Sequence, residues 1–225
     1  MDIAVLGTGM VGQALAAGLT RLGHSVTVGT RDPEATLART EPDGMGNPPF
    51  AAWHADHADV ALATYADAVE GVELVVLAGH GSAALDMLGA AGADRLAGTV
   101  VLDISNPLDF SAGFPPTLFV KDTDSLGEQL QAAFPQARIV KSLNTLTAAL
   151  MVDPGLLGES TTVFVSGDEA AAKATVTEIL TAFGHQDVID LGGIETARGT
   201  EMLLPLWLRT MGALGTGMFN FKVVR

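Results

Sequence analysis

The residues best suited to chemistry lie near the start of the chain, where three glycines are spaced as Gly7, Gly9 and Gly12. Four apolar residues precede them and an alanine- and leucine-rich stretch follows, which predicts a turn from a strand into a helix. Glycine permits the tight turn, the approach of an anion to the main chain and close helix–sheet packing, and the helix start favours negative charge. A purely structural turn is the alternative. The spacing predicts a diphosphate site on Gly7, Thr8, Gly9, Met10, Val11 and Gly12.

Thr30 and Arg31 follow the next predicted strand, at residues 24–29. At this place an acidic residue bonds the ribose 2′-hydroxyl of NAD, whereas an arginine accommodates the 2′-phosphate of NADP. Thr30 and Arg31 therefore favour NADP. Two alternatives stay open: Arg31 pairs with Asp32 or Glu34 at a solvated helix start, or Asp32 itself reaches the ribose.

Three short polar motifs follow three later strands, at residues 78–82, 105–108 and 142–146. In an open parallel sheet, ligands bind outside the carboxyl ends of the strands, so these motifs are expected to share one cleft. Their small residues and neutral hydrogen-bonding groups suit a nicotinamide placed against a second flat ring. Asn144 is a candidate to hold a ring carbonyl or amide; alternatively it satisfies its own backbone.

Histidines offer one candidate for proton transfer and one incomplete metal site. His80 is the only histidine among the three motifs, so it is read either as a general acid or base or as a lining residue. His54 and His57 lie near two aspartates but lack a clear third ligand. We predict no metal, and we assign no certain catalytic residue.

The elements that must position these residues alternate between strand and helix. This pattern predicts the α/β class, with a Rossmann doubly wound parallel sheet of strand order 3-2-1-4-5-6. After about residue 150 the pattern changes to a small C-terminal α/β domain, which gives a dinucleotide-binding domain at 1–150 and a second domain at 151–225. Pro205 is expected to kink or divide the last helical stretch. The predicted strands of the first domain cover residues 3–6, 24–29, 60–62, 74–77, 99–104 and 138–142.

Composition limits the partners. A net charge of −14 argues against nucleic acid and anionic membranes as partners, because the negative electrostatic field of the protein repels their phosphate groups. The absence of cysteine fits a reducing compartment, so a cytoplasmic location is expected. We find no export signal and no apolar stretch of membrane-spanning length. The apolar segment 202–208 is compatible with burial in the core or with a homodimer.

Several segments together resemble the coenzyme F420-dependent NADP oxidoreductases: the first turn, the strand end at 28–31, and residues 140–145, 167–168 and 197–222. The resemblance implies that a small C-terminal domain closes a pocket in which a hydride passes between nicotinamide C4 and deazaflavin C5. It also implies where the cofactors NADP and F420 are held. Beyond the diphosphate and 2′-phosphate groups, the implied contacts are Ala78, His80, Asn106 and Pro107 at the nicotinamide, and Asn144, Leu146 and Arg198 on the deazaflavin side.

Other functions remain open at this stage. The segment around Asn144 and Thr145 is also similar to the reductase domain of membrane ferric reductases, which favours a flavin or ferric reductase as the first alternative. A non-catalytic NADP sensor is the second. A 3-hydroxyacid dehydrogenase is less favoured, because only Lys173 and Lys222 follow residue 150 as candidates for its catalytic lysine.

Overall fold

The strands form where short aliphatic runs are bounded by turn residues, and helices then cover both faces of the sheet. The computed structural model describes residues 1–42 and 46–225. Within them the strands are β1 Asp2–Leu6, β2 Ser25–Thr30, β3 Ala61–Thr64, β4 Leu74–Leu77, β5 Val100–Asp103, β6 Leu108–Asp109, β7 Thr117–Leu118, β8 Arg138–Lys141, β9 Thr162–Ser166 and β10 Asp187–Gly192. The α-helices are α1 Met10–Arg21, α2 Pro33–Ala38, α3 Phe50–Ala55, α4 Tyr65–Ala68, α5 Ala84–Ala91, α6 Ala93–Leu96, α7 Leu126–Ala133, α8 Ala148–Val152, α9 Ala170–Ala182, α10 Ala197–Met202 and α11 Leu204–Leu214.

Eight of these strands form one sheet in the order β10-β9-β8-β5-β4-β1-β2-β3. The six strands predicted for the first domain are β1 to β5 and β8, and their order 3-2-1-4-5-6 is confirmed. The doubly wound α/β fold is therefore confirmed. The order reverses between β1 and β4, which places the first glycine turn and the loop after β4 side by side. The short pair β6–β7, in a proline- and glycine-rich stretch, was not predicted.

The C-terminal strands continue the same sheet. β9 runs antiparallel to β8, where Lys141 faces Ser166, and β10 pairs parallel with β9. The sheet thus crosses residue 150, and the division into domains 1–150 and 151–225 stays a prediction. Pro205 lies in the first turn of α11, so the expected division of the last helical stretch is confirmed.

Two apolar cores lie on opposite faces of the sheet. One buries α1, α8 and α9 against the strands, and the other buries α4, α5 and α7. The glycines and prolines of the segment 41–49 predict a surface loop, and its residues 43–45 lie outside the described residues. In the described part of the chain, no helix is long and apolar enough to cross a membrane.

His185 is a buried histidine after α9, and its Nε2 lies 3.0 Å from the carbonyl oxygen of Met151. Because a carbonyl only accepts, Nε2 carries the proton of this hydrogen bond. Nδ1 is buried and has no hydrogen-bond partner among the described residues. Burial lowers the pKa of His185, and the bond to Met151 only partly opposes it. The folded protein therefore holds this ring neutral.

We predict that His185 makes the fold acid-sensitive. The pKa of His185 in the folded protein lies below the ordinary value of 6.5, so above that pH the ring is neutral in both states and its titration costs no stability. As the pH falls below 6.5, His185 binds a proton in the unfolded chain but stays neutral in the folded protein. This difference lowers the free energy of unfolding. Melting temperatures between pH 7.5 and 5.5 should fall by several degrees less for His185→Phe than for wild type. The exposed-ring control His80→Phe should keep the wild-type slope, and equal slopes for His185→Phe and wild type would contradict the assignment.

Candidate cofactor cleft

The first glycine turn is built so that two of its positions exclude any side chain. Gly7 has φ +131°, and a Cβ there would lie 2.6 Å from the carbonyl oxygen of Ala78. A Cβ on Gly12 would lie 2.1 Å from the carbonyl oxygen of Gly7. β1, the start of α1 and the loop after β4 therefore pack main chain to main chain, as the sequence predicts.

The start of α1 leaves its amide groups open. Gly9 is the N-cap residue, no side chain caps the helix, and the first turn contains no acidic residue. Gly9 and Met10 are exposed, and the Gln13 side-chain amide donates to the carbonyl oxygen of Thr8 at 2.9 Å rather than covering the turn. Unpaired amide groups and the positive end of the helix dipole together favour an anion here.

A cleft of about 520 Å³ opens beside this turn and brings Arg31 to it. No ion pair joins Arg31 to a carboxylate in the described residues. Asp32 caps α2, because its Oδ1 accepts from the Ala35 amide at 2.9 Å. Burial raises the pKa of Tyr65, with the charge of Arg31 opposing that rise. The cleft is lined by Gly7, Thr8, Gly9, Arg31, Tyr65, Ala78, Gly79, His80, Ala83, Asp86, Met87 and Ala90.

Thr30 does not present its hydroxyl to this cleft. Its side chain is buried, and Oγ1 lies 2.9 Å from Oγ1 of Thr36. The hydroxyl is thus used to join the end of β2 to α2. Of the pair predicted at a 2′-phosphate, the structure brings only Arg31 to the cleft.

A second cleft, of about 730 Å³, also borders this turn. Thr8 and Gly9 line both clefts, so two ligands would adjoin at the turn. The second cleft is lined by Thr8, Gly9, Met10, Gln13, Thr36, Ala38, Arg39, Thr40, Glu41, Pro42, Asn47, Pro48, Pro49 and Phe50.

The loops after β4, β5 and β8 meet, as their places in the sheet predict. The Asn106 carbonyl packs directly on Gly81, where a Cβ would lie 1.9 Å from the oxygen. Asn106 Nδ2 donates to the carbonyl of Asn144 at 2.9 Å, and Asn144 Nδ2 donates to Asn106 Oδ1 at 3.0 Å. We call Asn106 and Asn144 the asparagine pair. His80 stays at the exposed edge, with Nδ1 2.9 Å from Ser82 Oγ.

Asn144 is held from both sides. Its Nδ2 also donates to the carbonyl of Thr200 in α10, at 3.1 Å. Leu143, immediately before it, is buried with φ +58°, a left-handed conformation that costs a non-glycine residue about 1–3 kcal/mol. Such strain is typical of functional loops, but the contact of Asn144 with a ring stays a prediction.

Neither cleft is lined by Leu146, Pro107 or Arg198, nor by the asparagine pair. Leu146 is buried in the apolar core, and Pro107 is buried with its carbonyl accepting from the Phe119 amide at 2.9 Å. Arg198 forms a bidentate ion pair with Glu128, with Nε 2.8 Å from Oε2. Arg198 therefore joins α10 to α7. Leu146, Pro107 and Arg198 thus have packing and anchoring contacts in the structure, and their predicted cofactor contacts stay predictions.

A buried ion cluster of Asp103, Lys141 and Glu201 was missed from the sequence. Lys141 Nζ lies 2.6 Å from Asp103 Oδ2, without hydrogen-bond geometry, and 2.8 Å from Glu201 Oε1. Burial opposes the ammonium charge, but the two carboxylates outweigh it and raise the pKa of Lys141. Glu201 also accepts from the first two amides of α7, those of Leu126 and Gly127, at 2.8 and 3.0 Å.

The two histidines of the incomplete metal site lie within hydrogen-bond distance of main-chain carbonyls. His54 Nε2 lies 2.9 Å from the Val60 oxygen, and His57 Nδ1 lies 2.8 Å from the Trp53 oxygen. Across residues 1–42 and 46–225, no group of three or more histidine, cysteine or carboxylate side chains is placed to hold a metal ion.

We predict that Gly9→Val blocks anion binding at the turn without unfolding the chain. Gly9 has φ −75° and ψ 177°, a conformation open to any residue, and a Cβ there meets nothing within 4 Å. A branched side chain would instead fill the space over the amides, so affinity for NADPH should fall at least about 100-fold. The control Gly212→Val, at another open glycine, should bind normally. Wild-type affinity in Gly9→Val, measured by NADPH fluorescence titration with melting temperature checked, would show that no diphosphate sits there.

Comparisons with known proteins agree with this architecture. Residues 2–107 match the family described as NADP oxidoreductase coenzyme F420-dependent. The rat metalloreductase STEAP3 is 30% identical over 223 residues, which cover 95% of this chain, but the chain spans only 39% of the length of that relative. The F420-dependent NADP reductase of Methanothermobacter marburgensis is 27% identical and is matched over 92% of this chain and 90% of its own length.

A solved structure extends the match to the full chain. A crystal structure from Arthrobacter sp. FB24, provisionally named an F420-dependent NADP-reductase, has 59% sequence identity and a TM-score of 0.96, with 100% of both chains covered. The chain therefore belongs to the coenzyme F420-dependent NADP oxidoreductase family and is an NADP-linked oxidoreductase.

Proposed function

We propose that the protein transfers a hydride between NADPH and the deazaflavin coenzyme F420. The observation that carries this proposal is the open start of α1, where Gly9 is exposed and no side chain caps the helix. Arg31 lies in the same cleft and has no ion-pair partner among the described residues. These features fit a diphosphate with a nearby 2′-phosphate. The name of the Methanothermobacter relative and the full-length Arthrobacter match support F420 as the second cofactor.

The two clefts that adjoin at Thr8 and Gly9 support a reaction between two bound molecules. When bound, NADPH supplies a hydride from nicotinamide C4, and the deazaflavin takes it at C5. The chain's own part is to hold the two rings face to face at reacting distance and to exclude water. No side chain has to carry the hydride. Among the residues the structure describes, those nearest the turn are mostly neutral, which suits orientation better than acid–base catalysis.

Particular residues are proposed for each contact. The amides from Gly9 to Val11 bind the diphosphate, and Arg31 binds the 2′-phosphate. Ala78 and His80 border the nucleotide, since both line the cleft beside the turn. The asparagine pair lies behind this edge and orients the nicotinamide. A homodimer and a cytoplasmic location also stay predictions.

The direct assay mixes purified protein, NADPH and F420 and follows the deazaflavin absorbance. We expect NADPH-dependent bleaching of F420 and its reversal with NADP⁺ and reduced F420. NADH is the matched control and should support much slower turnover. If the protein binds NADPH but no bleaching of F420 occurs, the proposed function is wrong.

A flavin or metal reductase is the second candidate, and the similarity to rat STEAP3 favours it. That relative is named a metalloreductase, and this chain matches 39% of it. Replacing F420 with FMN, FAD or ferric chelate in the same assay distinguishes the candidates. Reduction of flavin with no reaction of F420 would select the alternative. Saturable NADPH binding with no acceptor at all would select a sensor.

The Arg31→Ala variant should lose the preference for NADPH over NADH, because the two nucleotides differ in the 2′-phosphate. A charged hydrogen bond contributes about 1.5–3 kcal/mol, so NADPH affinity should fall about 10- to 100-fold. NADH affinity should change by less than about threefold, because NADH has no 2′-phosphate. The control Arg95→Ala removes an equal charge from a surface pair with Glu70 and should change neither affinity. An unchanged NADPH-to-NADH ratio in Arg31→Ala, measured by fluorescence titration, would exclude Arg31 from the 2′-phosphate site.

A further inference from the structure

One buried ammonium joins the ends of two central strands to helix α10. Asp103 ends β5 and Lys141 ends β8, and the two residues face each other in the register of the sheet. Glu201 reaches the same ammonium from α10. The side chains of Asp103 and Lys141 are 0% exposed and that of Glu201 is 2% exposed, so solvent weakens none of these contacts.

The ammonium also holds the main chain that leads to the cleft. Lys141 Nζ donates to the carbonyl of Ser105 at 2.9 Å, and Ser105 directly precedes Asn106. Asp103 Oδ1 fixes the same residue from the other side, because it accepts from the Ser105 amide at 2.9 Å and from its hydroxyl at 2.6 Å. Ser105 is therefore clamped at its amide, hydroxyl and carbonyl.

This clamp sets the position of the asparagine pair. Asn106 exchanges hydrogen bonds with Asn144, and its carbonyl packs on Gly81 next to the cleft residue His80. On the other side, Asn144 is fixed by the carbonyl of Thr200, the residue before Glu201. The cluster and the pair thus form one connected set of contacts between β5, β8 and α10.

Stability alone does not account for such a cluster. Buried ion pairs are weak evidence for stability, since apolar residues of similar volume often serve as well. An apolar side chain at position 141 would not donate to the Ser105 carbonyl. Lys173 makes contacts of the same kind as Lys141, since it pairs with Asp190 and donates to the Gly192 carbonyl at 3.0 Å. These contacts lie at the β9–β10 edge of the sheet, so Lys173 serves as a comparison for Lys141.

We propose that Lys141 is a positioning residue, whose ammonium holds Ser105 and thereby fixes the asparagine pair that orients the nicotinamide ring. The proposal rests on the proposed function only in that a nicotinamide ring lies at this edge of the sheet. Lys141 is too deeply buried to touch the cofactor, so it acts through Asn106 and Asn144. Its removal should loosen the ring while leaving the diphosphate and 2′-phosphate contacts in place.

The test uses the double variant Lys141→Met/Glu201→Gln. Wild-type Asp103, Lys141 and Glu201 carry −1, +1 and −1, a sum of −1, and the double variant keeps only Asp103, also −1. Net buried charge is therefore matched while the donor to Ser105 is lost. Lys141→Met alone is less informative, because it leaves two buried carboxylates uncompensated and is expected to fold poorly. Lys173→Met is the matched lysine control.

Two readouts separate positioning from folding in variants that keep a cooperative melting transition. The affinity for NADPH should stay within about threefold of wild type, because its main contacts lie on Gly9 and Arg31. The blue shift and enhancement of bound nicotinamide fluorescence should be lost, and kcat at saturating NADPH should fall about 10- to 100-fold. Lys173→Met should change neither the fluorescence nor kcat.

Wild-type fluorescence and kcat in a folded double variant would overturn the proposal and leave the cluster a structural feature. If the double variant does not fold, Asn106→Ala decides: the same loss of ring fluorescence supports the proposal, and an unchanged signal overturns it. A wild-type protein that binds NADPH but reduces no F420 removes the proposed function alone, since the fluorescence readout needs no acceptor. A wild-type protein that binds no NADPH overturns both.

Discussion

The open amides at the start of α1 are the constraint on which the rest of the site depends. A helix start normally finds a side-chain cap, and among the described residues this one has none, with Gly9 exposed and no acidic residue in the first turn of the helix. β1 and α1 can meet this closely only because Gly7 and Gly12 carry no side chain. The cost is a turn whose polar groups face outward. Binding an anion there satisfies those groups and uses the helix dipole.

The rest of the sheet places polar loops around that turn. Because strand order reverses between β1 and β4, the first turn and the loop after β4 border the same cleft. The loops after β5 and β8 follow on one side, joined by the asparagine pair. The buried cluster then fixes α10 to the ends of these strands, so the C-terminal part is anchored by Lys141 and Glu201 as well as by the partly buried pair of Arg198 and Glu128. The proposed orientation of a nicotinamide ring depends on this anchoring.

Local patterns predicted much of the fold, and long-range contacts limited what could be predicted of the site. Strand order followed from alternating strands and helices, and the turn followed from glycine spacing in its context. The sequence did not reveal the contact of the Thr30 hydroxyl with Thr36, which lies on the next helix. It also did not reveal the ion pair of Arg198 with Glu128, because Glu128 is 70 residues away. Asp103 and Lys141 did leave a signal: each is a charged residue at the end of an apolar strand, and neighbouring strands would bring them together. Glu201 left none, since only the tertiary position of α10 brings it to them.

The most direct measurement of the central claim is a crystal structure of the protein with NADP⁺ bound. The account predicts the diphosphate against the amides of Gly9, Met10 and Val11, the 2′-phosphate on Arg31, and the nicotinamide directed toward the asparagine pair. A diphosphate bound elsewhere, or a turn filled by the protein's own side chains in the presence of saturating NADP⁺, would contradict it.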